Sequence, residues 1–334
     1  MIGVFAVATF TAATAANVGA KTRQLIPTTY EAGHFFATPE TRDGKVLRLL
    51  VDTGGPGGGG WYVLDEKAVR RMGLAVDSCR LGTESLSVLK TISFLQAKAI
   101  PTWRATPCHS VALVRSGYLS VASEDGSLGA GFLPHFIWTF DYPGQKLWRE
   151  PSSWKPEAGM HRTSLGFMLN AAGEKGTGFP RITLTVDGRP LEMLLDTGAT
   201  AMPTAEGQRV SGMATVQGIG VTSYVTTSVL DQWHRRHPDW RIVAVGDKLG
   251  RSKARTIEVP RVEIAGWAVG PVWFTERADA NYGTSDGAMS SYMDRKIEGS
   301  AGANIFDHFV MALDYPRSAA WFECVRECRK AGSK

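Results

Sequence analysis

Two stretches of this chain copy one another, and that duplication constrains the fold more than any other feature. DGKVLRLLVDTG, from Asp43 to Gly54, aligns without a gap on DGRPLEMLLDTG, from Asp187 to Gly198, at an offset of 144. Farther on, GSLGAGFLPHFIWTFDYPGQKLW from Gly126 aligns on GSAGANIFDHFVMALDYPRSAAW from Gly299, with ten of twenty-three positions identical. Two matches in the same order mark one structural unit used twice. Between them, WYVLDEKAVRRMG from Trp61 and SYVTTSVLDQWHRRHP from Ser223 each give Tyr-Val followed by a helix-compatible run. The offset there is 162 and at the last block 173, so the second copy carries eighteen extra residues after its Asp-Thr-Gly and eleven more beyond its helix.

Each unit reads as strands, an acidic loop, a short helix, more strands, a Gly-containing apolar block and a final strand. Runs such as TIEVPRVEIAGWAVGPVWF, from Thr256, are rich in β-branched and aromatic residues and broken by Gly and Pro, as strands and hairpins are. The expected class is mainly β, in two pseudo-symmetric lobes with a cleft between them. The chain of 334 residues is long enough for two domains of about 150 residues. The lobes are expected at 21–150 and 164–334, joined by a Pro- and Ser-rich linker at 151–163. Residues 1–20, apolar and small up to the first charge at Lys21, resemble a signal peptide and point to export. No later apolar run approaches the ~20 residues of a membrane-spanning helix.

A carboxylate at the end of a buried strand is costly unless something compensates it. Duplication supplies a reason for two. If the lobes face each other, the loops meet at the axis and Asp52 and Asp196 share one site. Two carboxyls within ~3 Å cannot both ionise readily and hold one proton between them. The ionised member can draw a proton from water while the protonated member donates to a substrate carbonyl, which hydrolyses a peptide without metal or covalent intermediate. Gly54 and Gly198 allow a tight turn with backbone N–H groups aimed at the carboxylates. Thr53 and Thr197 offer hydroxyls that can lock the loops across the axis.

With LLVDTGG and MLLDTGA each followed by GSLGAGFL or GSAGANIF, the chain resembles the pepsin-like and retropepsin-like aspartic peptidases. The resemblance runs from about Gly33 to Trp321. It implies two β lobes, a catalytic dyad of Asp52 and Asp196, interlocking hydroxyls on Thr53 and Thr197, loop glycines at Gly54 and Gly198, and structural glycines at Gly129 and Gly302. The FDYP and LDYP ends look closer to bacterial duplicated retropepsin-like proteins than to long digestive pepsins. The implied activity is endopeptidase, with a peptide or protein substrate, no cofactor, no metal, and a monomer. A non-catalytic peptide-binding protein on the same fold is the alternative. Two departures stand out: Gly55 and Ala199 occupy positions where pepsin-like members place Ser or Thr. The flap that closes the cleft in that family has no clear signature between the first helix and Gly126, and Phe94 and Trp103 are its candidates.

Other readings give way to this one. GPGGGG, residues 55–60, matches a dinucleotide loop with Asp77 at the spacing of a ribose-binding acid, yet the second copy drops the glycines, which then read as a flexible exit from the acidic loop. Lys and Arg are scattered for a formal charge of +5, without the basic stripe and interleaved aromatics of a nucleic-acid surface. The densest cluster, KLGRSKAR from Lys248, reads as a solvated loop. Cys79, Cys108, Cys324 and Cys328 suit two disulfides in an oxidising compartment and lack zinc-site spacing. The doubled His135 and His308 are read as structural, Asp141 and Asp314 as turn formers, and Trp233, Trp240, Trp267 and Trp273 as core. The insert at residues 200–222 is expected to be a surface loop or hairpin near the cleft.

Overall fold

The computed structural model describes residues 22–103, 105–117, 124–248 and 253–332. The signal-peptide reading lies outside them, as do residues 249–252 of the basic cluster. Arg255, at the end of that cluster, is not in a loop: it lies in a strand and pairs with Asp231 and Glu276.

Four strands of each copy build the same motif. In the first they are β1 (Leu49–Val51), β2 (Tyr62–Asp65), β3 (Ala112–Arg115) and β4 (Gly126–Leu128). In the second they are β5 (Arg189–Leu195), β6 (Ser223–Thr226), β7 (Val272–Arg277) and β8 (Gly299–Ala301). β1 runs parallel to β4, β4 antiparallel to β2, and β2 parallel to β3. β5, β8, β6 and β7 repeat that order and those directions. The motifs are extended into an eight-stranded and a ten-stranded sheet. Helices α1 (Glu66–Met72) and α3 (Thr227–Arg236) follow β2 and β6, with α2 (Ala205–Ser211) in the insert between β5 and β6.

A third sheet of six strands joins the copies. At its centre the two Asp-Tyr-Pro strands, Ile137–Asp141 and Phe309–Asp314, pair antiparallel, with Ile137 opposite Asp314 and Asp141 opposite Val310. Those partners exchange under the 173-residue offset, so the register places a pseudo-two-fold axis between Thr139 and Ala312. Trp138, Phe140, Phe309 and Phe322 from this sheet are fully buried in a core shared by both lobes. Asp141 and Asp314 accept from the N–H of Gly144 and Arg317, closing the strand-end turns expected of them. The segment between the lobes re-enters this sheet as the strand His161–Ser164.

The Asp-Gly signals are realised differently in the two copies. Asp187 and Gly188 both have positive φ, 52° and 69°, and make the tight two-residue hairpin turn that an Asp-Gly pair favours. Asp43-Gly44 sits in a wider turn closed by the Thr41 and Lys45 backbones. Of the four tryptophans assigned to the core, Trp233 and Trp273 are buried, and Trp240 and Trp267 pack half-buried against it.

Both cysteine pairs are bridged, Cys79 to Cys108 and Cys324 to Cys328. The first ties the hairpin Asp77–Leu89 to the segment carrying Pro107, closing a loop of 29 residues in sequence. Replacing Cys79 and Cys108 together with Ser is expected to cost about 3–4 kcal/mol, read as a lower urea midpoint at pH 6.

Of the loop and hairpin expected, the insert takes an antiparallel pairing of its two ends with a helix between them. Thr200 and Ala201 pair with Gly220 and Val221, and α2 lies between them, capped by Thr204 at its start and by Gly212 at φ 68° at its end. The unit clamps onto the first lobe: Ile219 packs on Phe36 and Leu50. A Cβ on Gly33, whose φ is 93°, would come within 2.5 Å of Val221, so this contact requires glycine.

Beneath the clamp, buried His34 of the first lobe meets the Thr200 hydroxyl at 3.1 Å, and Thr200 donates to the Gly198 carbonyl at 2.8 Å. Thr200 has one proton and spends it on Gly198, so Nε2–H of His34 is the donor to Thr200. Burial, reinforced by the Arg48 charge, pushes His34 down to about 4. His34 is therefore less protonated in the folded protein than in the unfolded chain between pH 4 and 6.5, and its contribution to stability rises with pH across that window. His34→Gln, which keeps a donor for Thr200, is expected to remove about 2–3 kcal/mol of this dependence, measured as the difference between urea denaturation curves of the two proteins at pH 4 and 6.5.

Candidate active site

β1 and β5 end at the pseudo-two-fold axis, and their strand hydrogen bonding carries one step into each acidic loop. The N–H of Asp52 donates to Leu128 on β4, and that of Asp196 to Ala301 on β8, at 3.0 and 2.9 Å. The structure brings all six expected residues together here. Asp52 and Asp196 keep 6% and 9% of their surface exposed, and their carboxyls are hydrogen-bonded to each other.

Two threonines lock the loops. The N–H of Thr53 donates to the Thr197 hydroxyl at 3.1 Å, and the N–H of Thr197 to the Thr53 hydroxyl at 3.0 Å. Each hydroxyl then donates across the axis, Thr53 to the Leu195 carbonyl at 2.5 Å and Thr197 to the Val51 carbonyl at 2.8 Å. Both side chains are buried, so all four bonds are shielded from water.

The loop glycines are set by the carboxyls themselves. A Cβ on Gly54 would lie 2.5 Å from the Asp196 carboxyl carbon, and one on Gly198 2.2 Å from that of Asp52. Their N–H groups hold the acids: Gly54 donates to Asp52 Oδ1 at 2.9 Å and Gly198 to Asp196 Oδ1 at 3.2 Å. The neighbouring Gly55 and Gly198 backbones also favour the ionised form of Asp52 and lower its pKa. Gly55, the unusual residue after the first Asp-Thr-Gly, has the same cause as Gly54: a Cβ there would lie 2.6 Å from Asp52 Oδ2.

Burial raises both acids above the ordinary carboxylate range. Asp196 rises further because the Asp52 charge also opposes its ionisation, whereas Asp52 is pulled back by its hydrogen bonds from Asp196 and the loop N–H groups. The pair as a whole retains a proton where two ordinary carboxylates would have lost both.

A groove of about 1010 Å³ starts at Gly54 and is walled by both lobes, with Trp103 and His135 from one and Phe179 and Tyr292 from the other. Residues 57–60 form its near side. They are not a flexible exit. A Cβ on Gly60, at φ 86°, would meet the Trp103 ring at 2.5 Å, and one on Gly131 would meet the Gly58 nitrogen at 2.4 Å. The glycines let two loops touch and leave the wall bare of side chains.

Of the flap candidates, Trp103 faces the groove and stacks on His135, with ring centroids 4.1 Å apart. Phe94 lines only a small cavity behind it and packs on the core. The hairpin Asp77–Leu89, whose turn is Gly82-Thr83, contributes no residue to the groove. Asp77, the ribose-acid candidate of the dinucleotide reading, is exposed on that hairpin, away from the glycines. The doubled histidines part ways: His308 bonds the Arg326 carbonyl, while His135 is a groove residue held down to about 4 by burial. No residue of the insert at 200–222 lines the groove.

Sequence reasoning missed two groups beside Asp196. The Ser300 side chain bears on the Asp196 carboxyl and lowers its pKa as a hydrogen-bonding neighbour, and its hydroxyl meets that of Tyr282 at 2.9 Å. The available signal was the Ser in GSAG, directly before the apolar-Gly pair that threads beside the acidic loop.

Among the described residues no helix is long and apolar enough to cross a membrane, and no cluster of three or more His, Cys, Asp or Glu is placed to hold a metal. No family model matches the chain, and no curated protein matches it. It is similar in structure to basic 7S globulin from soybean, at 9% identity and a TM-score of 0.42 over 90% of this chain and 95% of that one. It is likewise similar to an aspartic proteinase from Irpex lacteus, at 11% identity and a TM-score of 0.49 over 91% of this chain and 98% of that one.

Proposed function

We propose that this protein is an aspartic endopeptidase of the duplicated retropepsin-like kind, in which Asp52 and Asp196 activate one water between the lobes. The observation that carries the proposal is the hydrogen-bonded pair of buried carboxyls, one from each copy, with pKa values pushed upward. Asp52, held by the Gly54 N–H, is the base; Asp196 is the acid.

Water attacks the scissile carbonyl carbon, giving one proton to Asp52 while Asp196 gives its proton to the carbonyl oxygen. The tetrahedral diol then collapses. Asp52 passes its proton to the amide nitrogen, the C–N bond breaks, and Asp196 recovers a proton from a diol hydroxyl. Every proton is returned and no bond to the enzyme forms. Nearly complete burial strengthens each transfer, because the fixed N–H groups act in a medium of low dielectric.

The groove beginning at Gly54 is where an extended peptide lies, its backbone close against the bare glycine wall. Both acids belong to one chain, so the site is complete in a monomer. Two disulfides support export to an oxidising compartment.

The test is incubation with an unfolded protein at acidic pH. Internal cleavage, blocked by a peptide mimic with a hydroxyl in place of the scissile carbonyl, is expected. Binding of intact peptide without cleavage would instead identify a peptide-binding protein on this fold.

A further inference from the structure

We propose that Ser300, held in place by Tyr282, is the positioning residue for Asp196, supplying from a different strand the hydroxyl that the residue after the second Asp-Thr-Gly lacks. The inference rests on the dyad reading above. Ala199, which follows Gly198, has no hydrogen-bonding side chain, so support for the Asp196 carboxyl beyond the loop N–H must come from elsewhere.

Ser300 is well placed to give it. It lies on β8 opposite Leu194, two residues before the acid on the neighbouring parallel strand, and is 1% exposed. A serine has one proton. Spent on Asp196, it obliges Ser300 to accept from the Tyr282 hydroxyl, so the chain runs in one direction from Tyr282 through Ser300 to Asp196. That direction presents a donor to Asp196, which turns the acid's own proton away from Ser300.

Tyr282 comes from a connection that is longer in the second copy than in the first. Residues 278–298 connect β7 to β8, about twice the length of residues 116–125 between β3 and β4, and account for the second run of extra residues. The segment is tied internally: the Ser290 hydroxyl donates to the Tyr282 carbonyl at 2.6 Å and accepts from the Ile297 N–H at 3.0 Å. It also gives Met289 and Tyr292 to the groove.

The duplication provides an internal control. Ser127, the counterpart of Ser300 in GSLG, is buried, but among the described residues its hydroxyl has no partner. One serine of the pair orients an acid and the other does not, and the inserted segment makes the difference.

The test compares Ser300→Ala, Ser300→Thr, Tyr282→Phe and Ser127→Ala in the full chain. The main readout is the titration of the Asp196 carboxyl carbon by NMR in aspartate-labelled protein, which needs no turnover. Removing a donor to the ionised form raises a carboxyl pKa, so Ser300→Ala is expected to move Asp196 upward by about half to one unit. Tyr282→Phe is expected to move it in the same direction by less, while Ser300→Thr and Ser127→Ala match the wild type. In the hydrolysis assay Ser300→Ala is expected to lower kcat about tenfold with KM unchanged, and to carry the alkaline limb of the pH profile upward by the same shift. Tyr282→Phe decides the matter if Ser300→Ala does not fold. An unmoved Asp196 titration in the folded variants, or an equal shift in Ser127→Ala, overturns the proposal. A wild type that cleaves nothing overturns the peptidase reading and leaves the titration to decide the role of Ser300.

Discussion

Asp196→Asn is expected to lower kcat for peptide hydrolysis by at least about 10³-fold and to leave the protein folded, with Asp52→Asn doing the same. Asn keeps the volume of the acid and a carbonyl oxygen for the Gly198 N–H, but it can neither give up nor recover a proton at the working pH. The base without its acid leaves the carbonyl unactivated, and the acid without its base leaves the water unactivated. Stability should move the other way as pH rises. The pair holds a proton that two ordinary carboxylates would have lost, so above pH 4 the dyad binds more protons folded than unfolded, and its contribution to stability falls as pH rises through the raised values. Either Asn variant lacks that fall. Its urea midpoint is expected to equal or exceed that of the wild type at pH 7, which separates a chemical loss from a folding defect.

Thr53→Val is expected to cost about 3–5 kcal/mol, a large effect for one polar side chain, read as a lower urea midpoint. Valine fills the same space, yet it removes two buried hydrogen bonds at once and strands the Thr197 N–H and the Leu195 carbonyl that they satisfied. An unsatisfied buried polar group costs ~1–3 kcal/mol. Thr197→Val mirrors the effect through the Thr53 N–H and the Val51 carbonyl. The double variant should cost less than the sum of the two, because the hydroxyls share one network. Thr53→Ser, which retains the hydroxyl, should recover most of the loss. Activity should drop in the Val variants even where they remain folded, since the lock fixes the separation of the two carboxyls.

How much of the fold and site is legible in the sequence depends on which contacts obey the symmetry. The duplicated Asp-Thr-Gly, Gly-Ser-x-Gly and Asp-Tyr-Pro segments indicate two β units meeting at an axis, because each copy interprets the other. The same symmetry hides what the copies do not share. α2 carries ordinary end signals in Thr204 and Gly212, but the insert's Ile219, which packs on Phe36 and Leu50, has no counterpart in the first copy. His34 gives no sign in sequence that it reaches Thr200 across the lobe boundary. Gly55 looks like a weakness as long as the hydroxyl it lacks is weighed without the Asp52 oxygen that a Cβ would meet. The glycines at residues 57–60 look flexible for the same reason: the segments they pack against, around Trp103 and Gly131, lie some forty and seventy residues away. Ser300 escapes notice because a small polar residue before an apolar-Gly pair is unremarkable until Tyr282 is seen beside it.

If one proton shared by Asp52 and Asp196 drives hydrolysis, the rate of cleavage of an unfolded protein between pH 3 and 7 follows a bell, falling at low pH as the pair gains its second proton and falling toward neutral pH as it loses its last. A rate that climbs steadily to pH 7, or that survives unchanged in Asp196→Asn, would contradict that mechanism.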